Sequence, residues 1–87
     1  MATVLLPRSL VSLIPTAPRR CEVEAGTVAE AIDRLDDIAP GVRNRLLDSG
    51  PSIRRHINVY VDGEPATLDT PLGVASTIHV IPAVSGG

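Results

Sequence analysis

Apolar residues recur along this chain with two spacings, and the spacings predict five strands and one principal helix. Alternating apolar and polar residues favour a strand, whereas apolar residues three and four positions apart favour a helix. Strands are predicted over residues 2–6, 20–24, 57–61, 64–68 and 77–82. The first of these is apolar on both faces, which places it at the centre of a sheet. In the third and last strands, the residues predicted to face the core are Ile57, Val59, Val61, Ile78 and Val80.

The principal helix is predicted to follow Thr27, by its start signal and by its periodicity. Thr27 and Glu30 have the spacing of a capping box, which satisfies backbone N–H groups at a helix start. The residues predicted to form its buried face are Val28, Ala31, Ile32, Leu35 and Ile38. Asp33, Asp36 and Asp37 are predicted to face water and to serve solubility rather than catalysis. Pro40-Gly41 is predicted to end the helix.

The remaining segments are predicted to be connections. Residues 8–19 are bracketed by prolines, and a long connection with one helical turn, anchored by Leu10 or Leu13, is expected there. A further turn of helix is expected over residues 42–47, followed by a loop over residues 48–51.

The order strand, strand, helix, strand, strand, strand predicts an α+β fold of the β-grasp, or ubiquitin-like, type. In this roll, a mixed sheet of four to five strands carries one main helix on one face. The first and last strands pair in parallel at the centre, and the sheet order is second, first, last, third, fourth. Asp62-Gly63 predicts a hairpin turn before the fourth strand, and Pro65 marks that strand as an edge. We therefore predict one β-grasp domain over residues 1–82.

Composition narrows the functional classes. The net charge is −2, with ten acidic residues, eight arginines and no lysine, which argues against a nucleic-acid partner. No apolar run is long enough for a membrane span, and the first residues do not resemble a signal peptide. The single cysteine, Cys21, excludes an internal disulfide, and a cytoplasmic location is expected. Phe and Trp are absent and Tyr60 is the only aromatic residue, so the core is expected to be aliphatic.

The chain ends in Gly86-Gly87, directly after the last predicted strand. Residues 83–87 are predicted to form a flexible C-terminal tail. Because glycine has no Cβ, such a tail can enter a slot too narrow for side chains. A frayed chain end without a function is the alternative when the tail is considered alone.

Two blocks of the sequence are similar to the MoaD/ThiS-type ubiquitin-like sulfur carriers. They are Ile-Asn-Val-Tyr-Val-Asp-Gly-Glu over residues 57–64 and Val-Ile-Pro-Ala-Val-Ser-Gly-Gly over residues 80–87. This family includes the small subunit of molybdopterin synthase, the thiamine sulfur carrier and the cysteine-biosynthesis sulfur carrier. The chain departs from the family pattern in two ways: it lacks the acidic turn before the last strand, and Ser85 stands where Ala is usual.

The resemblance implies a chemistry located at the C-terminus. The carboxylate of Gly87 is adenylated by a ubiquitin-activating-type adenylyltransferase and sulfurtransferase that uses ATP, and is then converted to a thiocarboxylate. An acceptor synthase subunit or enzyme takes the sulfide, and Gly86 supplies access to both active sites. The chain itself is then a protein cosubstrate that binds no cofactor or metal. A ubiquitin-like modifier conjugated through Gly87 and a β-grasp interaction module with an inert tail are the alternatives.

Several other residues are candidates for a role in binding. Tyr60, Ile81 and Leu5 are predicted to lie on the helix-free face of the sheet as a partner surface, and Val84 of the tail extends it. Arg54-Arg55 either pair with acids on a partner or are simply solvated. Cys21, His56 and His79 are expected to have no role in the chemistry, since free Cys is commonly buried and two His are too few for a zinc site.

Overall fold

The computed structural model describes residues 1–82, and within them five strands form one mixed sheet. The elements are β1 (Ala2–Leu5), α1 (Arg8–Leu13), β2 (Arg20–Val23), α2 (Val28–Ile38), α3 (Val42–Leu46), β3 (Leu47–Asp48), β4 (Ser52–Ile53), β5 (Ile57–Val61), β6 (Glu64–Pro65) and β7 (Thr77–Pro82). The sheet order is β2-β1-β7-β5-β6, and β3 and β4 form a separate two-stranded sheet. The predicted strand order and the β-grasp fold are confirmed.

The centre of the sheet is the parallel pair of β1 and β7. Leu5 lies opposite His79 in this pair. β2 pairs with β1, and β5 pairs with β7, both in antiparallel orientation. The last residues of β1 and β7 therefore lie at the same end of the sheet as the first residues of β2 and β5. We call this the exit end, because β7 finishes there at Pro82.

Helix α2 begins as its sequence predicts. The Thr27 side chain accepts from the backbone N–H of Glu30 at 3.2 Å. The Glu30 carboxylate accepts from the backbone N–H of Gly26 at 2.9 Å. In a regular capping box it would accept from the N–H of the next residue, Thr27. The buried face comprises Val28, Ala31, Ile32 and Leu35.

Ile38 does not belong to this buried face, and its prediction is wrong. Its side chain is 50% exposed, whereas the following Ala39 is completely buried. Ala39 is the C-cap of α2 and has left the helical conformation. The change of direction at the helix end therefore turns Ala39 into the core in place of Ile38.

The fourth strand is shorter than predicted, Glu64–Pro65 rather than residues 64–68. After β6 the chain turns toward the start of α2. There the carbonyls of Thr70 and Leu68 accept from the first two N–H groups of α2 at 3.1 and 3.0 Å. The N–H groups of a first helical turn need partners outside the helix. This segment therefore caps α2 instead of extending the sheet.

Asp36 corrects the prediction that all three aspartates of α2 only face water. Its Oδ1 accepts from the backbone N–H groups of Gly41 and Arg43, at 3.0 and 3.1 Å. A carboxylate that accepts from backbone N–H groups at the start of α3 stabilises that helix. Asp33 forms a 3.1 Å ion pair with Arg43. Both acids therefore connect α2 to α3.

The segment after α3 also differs from prediction. Val42 and Leu46 are fully buried, as expected for the predicted helical turn. Leu47, however, begins β3, which pairs with β4 across a turn where a simple loop was predicted. In the first connection α1 forms a helix, and its anchor is Leu10, since Leu13 is 58% exposed.

The hairpin between β5 and β6 has the predicted turn. Asp62 and Gly63 have φ angles of 51° and 87°. Positive φ at both central residues suits a two-residue hairpin, and Asp and Gly tolerate it better than other residues. The Asp62 carboxylate also accepts from the backbone N–H of Thr77 at 2.9 Å. The turn is thereby tied to the start of β7.

The core lies between the inner face of the sheet and the helices. Its largest fully buried side chains are Leu35, Leu46, Ile78, Val4, Val28 and Val42. The predicted aliphatic core is therefore confirmed. Over residues 1–82, none of the helices has the length and apolar character that crossing a bilayer requires.

Candidate functional site

Strand β7 determines where the C-terminal residues leave the fold. It is the middle strand of the sheet, and its last residue, Pro82, lies opposite Ile57 at the exit end. The chain therefore leaves from the centre of the sheet rather than from an edge. Val84, Gly86 and Gly87 lie outside the described residues, so the roles predicted for them, and the predicted tail, stay predictions.

The face of the sheet opposite α2 carries the other predicted site residues. Leu5 and Tyr60 are both register partners of His79, so the three form one row across the sheet. Ile81 lies two residues beyond His79 and shares its face, because side chains alternate along a strand. Leu5 and Tyr60 are half-buried, and Ile81 is 44% exposed. We call Leu5, Tyr60 and Ile81 the apolar patch.

A shallow cavity of about 450 Å³ lies at the exit end beside the apolar patch. It is lined by Leu5, Pro7, Ile81 and Pro82, together with Arg20. A concave apolar surface of this kind can receive a side chain of another protein. The sequence does not reveal the cavity, because its walls come from strands that are distant along the chain.

A groove of about 550 Å³ lies on the other side of β7, along β5. Its lining includes Arg54, Arg55, Ile57 and Tyr60. The groove exists because β6 pairs only with the last two residues of β5 and leaves the first half of that strand uncovered. The predicted strand over residues 64–68 would have covered it. The groove therefore could not be predicted from the sequence.

The remaining candidate residues do not converge on a reactive centre. Cys21 is half-buried on β2, against the core, where its thiol faces a carbonyl at 3.7 Å. His79 is exposed on β7, and His56 is exposed in the turn before β5. Among residues 1–82, no three His, Cys, Asp or Glu side chains are grouped as metal ligands.

Comparison with known proteins gives the family. The model of the ThiS family matches residues 12–87, which is most of the chain. Small archaeal modifier protein 1 of Haloferax volcanii is 33% identical over 61 residues, which cover 70% of this chain and 70% of that protein.

Solved structures of related proteins have the same fold. A chain of the Amycolatopsis orientalis BexX/CysO complex superposes with a TM-score of 0.88 at 30% identity, with 100% of both chains covered. SAMP1 from Haloferax volcanii superposes with a TM-score of 0.77 at 28% identity, over 99% of this chain and 98% of that chain. Mycobacterium tuberculosis CysO, at 24% identity, shares the fold with a TM-score of 0.85 over 97% of this chain and 100% of its own. The protein belongs to the ThiS family, among the ubiquitin-like sulfur carriers and modifiers of the β-grasp fold.

Proposed function

We propose that this protein is a sulfur carrier that works through the carboxylate of Gly87. The observation that supports this most strongly is the position of β7. The central strand ends at Pro82 beside the apolar patch, so the residues that follow start from the centre of the exit end. The family match, which extends to residue 87, supports the same proposal.

The proposed chemistry needs a partner enzyme, because a carboxylate is a poor electrophile until it is activated. A ubiquitin-activating-type adenylyltransferase joins the Gly87 carboxylate to AMP from ATP, with loss of pyrophosphate. The terminal sulfur of a persulfide then displaces AMP, and a second thiol cleaves the resulting acyl disulfide to leave a thiocarboxylate. The protein is thus a cosubstrate, and ATP is used by the partner. The cytoplasmic location predicted from the sequence is part of this proposal.

The acceptor is an enzyme that takes sulfide from the thiocarboxylate. The related CysO chain was crystallised in a complex with BexX, which supports a mode of action in which the carrier docks on a partner protein. Enzymes of molybdopterin, thiamine or cysteine biosynthesis are all acceptors that fit this chemistry. Gly86 would allow the tail to enter the activating enzyme and the acceptor in turn.

The test of the proposal is the intact mass of the protein after activation. The protein is incubated with ATP, a ubiquitin-activating-type adenylyltransferase from the same organism and a persulfide donor. We expect a mass gain equal to the exchange of one oxygen for sulfur. The gain should be absent from a control reaction without ATP. The proposal would be contradicted if the mass of this protein stayed unchanged although the adenylyltransferase was active on the carrier that it normally activates.

A ubiquitin-like modifier is the second candidate function. The observation that favours it is the 33% identity to a protein named small archaeal modifier protein 1. A modifier forms amide bonds between Gly87 and lysines of other proteins, so the same incubation in a cell extract would yield products of high mass. The absence of lysine from this chain means that it cannot form lysine-linked chains with itself.

The apolar patch is the proposed docking surface for the activating enzyme, with Val84 extending it. Tyr60→Ala is expected to weaken binding about tenfold, because a half-buried aromatic side chain at an interface often contributes 1 kcal/mol or more. Val74→Ala is the matched control, since Val74 is 88% exposed and lies far from β7's last residue, near the opposite end of the sheet. Calorimetric titration measures both affinities, and equal affinities for the two variants would remove the patch from the proposal.

A further inference from the structure

The exposed charges of the sheet are divided between its two ends. Two consecutive pairs of arginines, Arg19-Arg20 and Arg54-Arg55, precede or begin the two strands that start at the exit end, β2 and β5. All four are exposed. At the opposite end lie exposed acids, Glu24 after β2 and Asp62 and Glu64 at the β5–β6 turn. A chain of net charge −2 therefore presents a basic exit end.

We call Arg19, Arg20, Arg54 and Arg55 the arginine rim. In the sheet order, β2 lies two strands from β7 on one side and β5 lies next to β7 on the other. With strands about 4.8 Å apart, the two pairs flank Pro82 at a separation of roughly 14 Å. Arg20 lines the cavity beside the apolar patch, and Arg54 and Arg55 line the groove on the other side. The rim thus borders the patch on both flanks.

No acid of residues 1–82 forms a direct ion pair with the arginine rim, although Asp69 lines the same groove as Arg54 and Arg55. Over residues 1–82, the ion pairs with N–O distances of 4.0 Å or less are Arg34 with Asp37, within α2, and Arg43 with Asp33, between α3 and α2. Arg54 donates from Nε and Nη2 to the carbonyl of Asn44, at 3.0 and 2.8 Å. This bidentate contact holds its guanidinium in place while leaving Nη1 for another acceptor. One cation of the rim is therefore preorganised.

We propose that the arginine rim binds carboxylates that surround the slot into which a partner enzyme admits the C-terminal tail. This inference rests on the proposed sulfur-carrier function and names the chemistry of the partner surface. Five residues follow Pro82, and five extended residues reach at most about 17 Å. An enzyme that reacts with Gly87 below its surface must therefore bring that surface up to the exit end, and so into contact with the rim.

The partner surface that fits is an acidic protein surface with an apolar centre. A single phosphate group cannot bridge two arginine pairs that lie roughly 14 Å apart across the sheet. A nucleic-acid backbone would leave the apolar patch between the pairs without an apolar contact, and the acids at the far end would repel it. Arginine forms bidentate hydrogen bonds with carboxylates. The spacing on the two sides of β7 is unequal, so matching carboxylates would accept only one rotation of the carrier about its tail.

The opposite charges at the two ends also affect the rate of docking. An acidic slot attracts the exit end and repels the far end, so the carrier approaches tail first. Such steering raises the association rate and weakens as salt screens it. Because the activating enzyme and the acceptor would use the same rim, they would bind the carrier in turn and not together.

Charge reversal tests the proposal. Binding of the full chain to the ubiquitin-activating-type adenylyltransferase of the same organism is measured without ATP, at low and at high salt. We expect Arg20→Glu combined with Arg55→Glu to weaken binding at least tenfold at low salt, mainly through slower association. The double variant Arg20→Lys with Arg55→Lys keeps the charge and is expected to retain more of the affinity. Arg34→Glu on α2 is the matched control and is expected to bind within twofold of the wild type.

The outcomes separate this inference from the carrier chemistry. Rim-dependent binding without a mass gain would support the rim and refute the carrier function. A normal mass gain, together with charge-reversed variants that bind like the wild type, would refute the rim alone. The rim would also be refuted if Arg34→Glu lost as much affinity as the rim variant, or if the wild type showed no measurable binding. Thermal melting of each variant shows whether a loss of binding is only a loss of folding, in which case Arg19→Gln with Arg55→Gln replaces the failed pair.

Discussion

Deletion of Gly87 is expected to abolish the ATP-dependent mass gain while leaving the folded domain intact. The deletion moves the chain's carboxylate back by one residue, roughly 3.5 Å. A misplacement of about 1 Å in a reacting group can already cost a hundredfold in rate, so a loss of at least that size is expected. The buried core residues of the described chain all lie between Ala2 and Val80. The melting temperature should therefore stay within the error of a calorimetric scan.

Two further variants make this result specific. Gly86→Val keeps the length of the tail but adds a branched side chain where the proposal requires a narrow one, and it is also expected to prevent activation. Cys21→Ala is the matched control for a thiol-based route, since Cys21 is half-buried against the core on β2 and is not part of the proposed chemistry. A full mass gain in the Gly87 deletion, or its loss in a folded Cys21→Ala protein, would show that the sulfur is carried elsewhere.

Leu35→Ala is expected to reduce the free energy of unfolding by about 3 kcal/mol, because truncation of a buried leucine leaves a cavity. Leu35 is completely buried on α2. For a domain of this size, 1 kcal/mol corresponds to roughly 4–8 °C, so the melting temperature should fall by at least about 12 °C. Urea unfolding followed by circular dichroism measures the change.

Ile38→Ala is the matched control on the same helix. The Ile38 side chain is 50% exposed, so its truncation leaves little cavity. The free energy of unfolding should fall by less than about 1 kcal/mol. Equal costs for Leu35→Ala and Ile38→Ala would mean that the buried face of α2 is assigned incorrectly. The pair tests the one point at which the apolar periodicity and the structure disagree.

The elements that the sequence predicted correctly depend on local signals. The Thr27 cap, the three-and-four spacing of α2 and the Asp62-Gly63 turn each require only neighbouring residues. The strand order followed from the β-grasp fold, which has this order of strands and helix along the chain. The family resemblance rested on residues that are contiguous in two blocks, which is why it could be found without a structure.

The elements that it predicted wrongly depend on distant partners. β6 stops after two residues because the carbonyls of Leu68 and Thr70 are needed by the first turn of α2, which lies about forty residues earlier in the chain. Asp36 has a role because α3 begins within reach of its carboxylate. Neither contact leaves a periodic trace in the sequence, so propensity and pattern could not reveal it.

The sequence by itself determined the aliphatic core, the parallel central strands and the Gly-Gly end after the last of them. The tertiary structure decided what surrounds the point at which that end leaves the sheet. Leu5 and Ile81 are more than seventy residues apart, yet they line one cavity because β1 and β7 pair in parallel. The two arginine pairs likewise flank Pro82 because of strand pairing. Burial of the core sets the register of the strands, and the register brings their ends together.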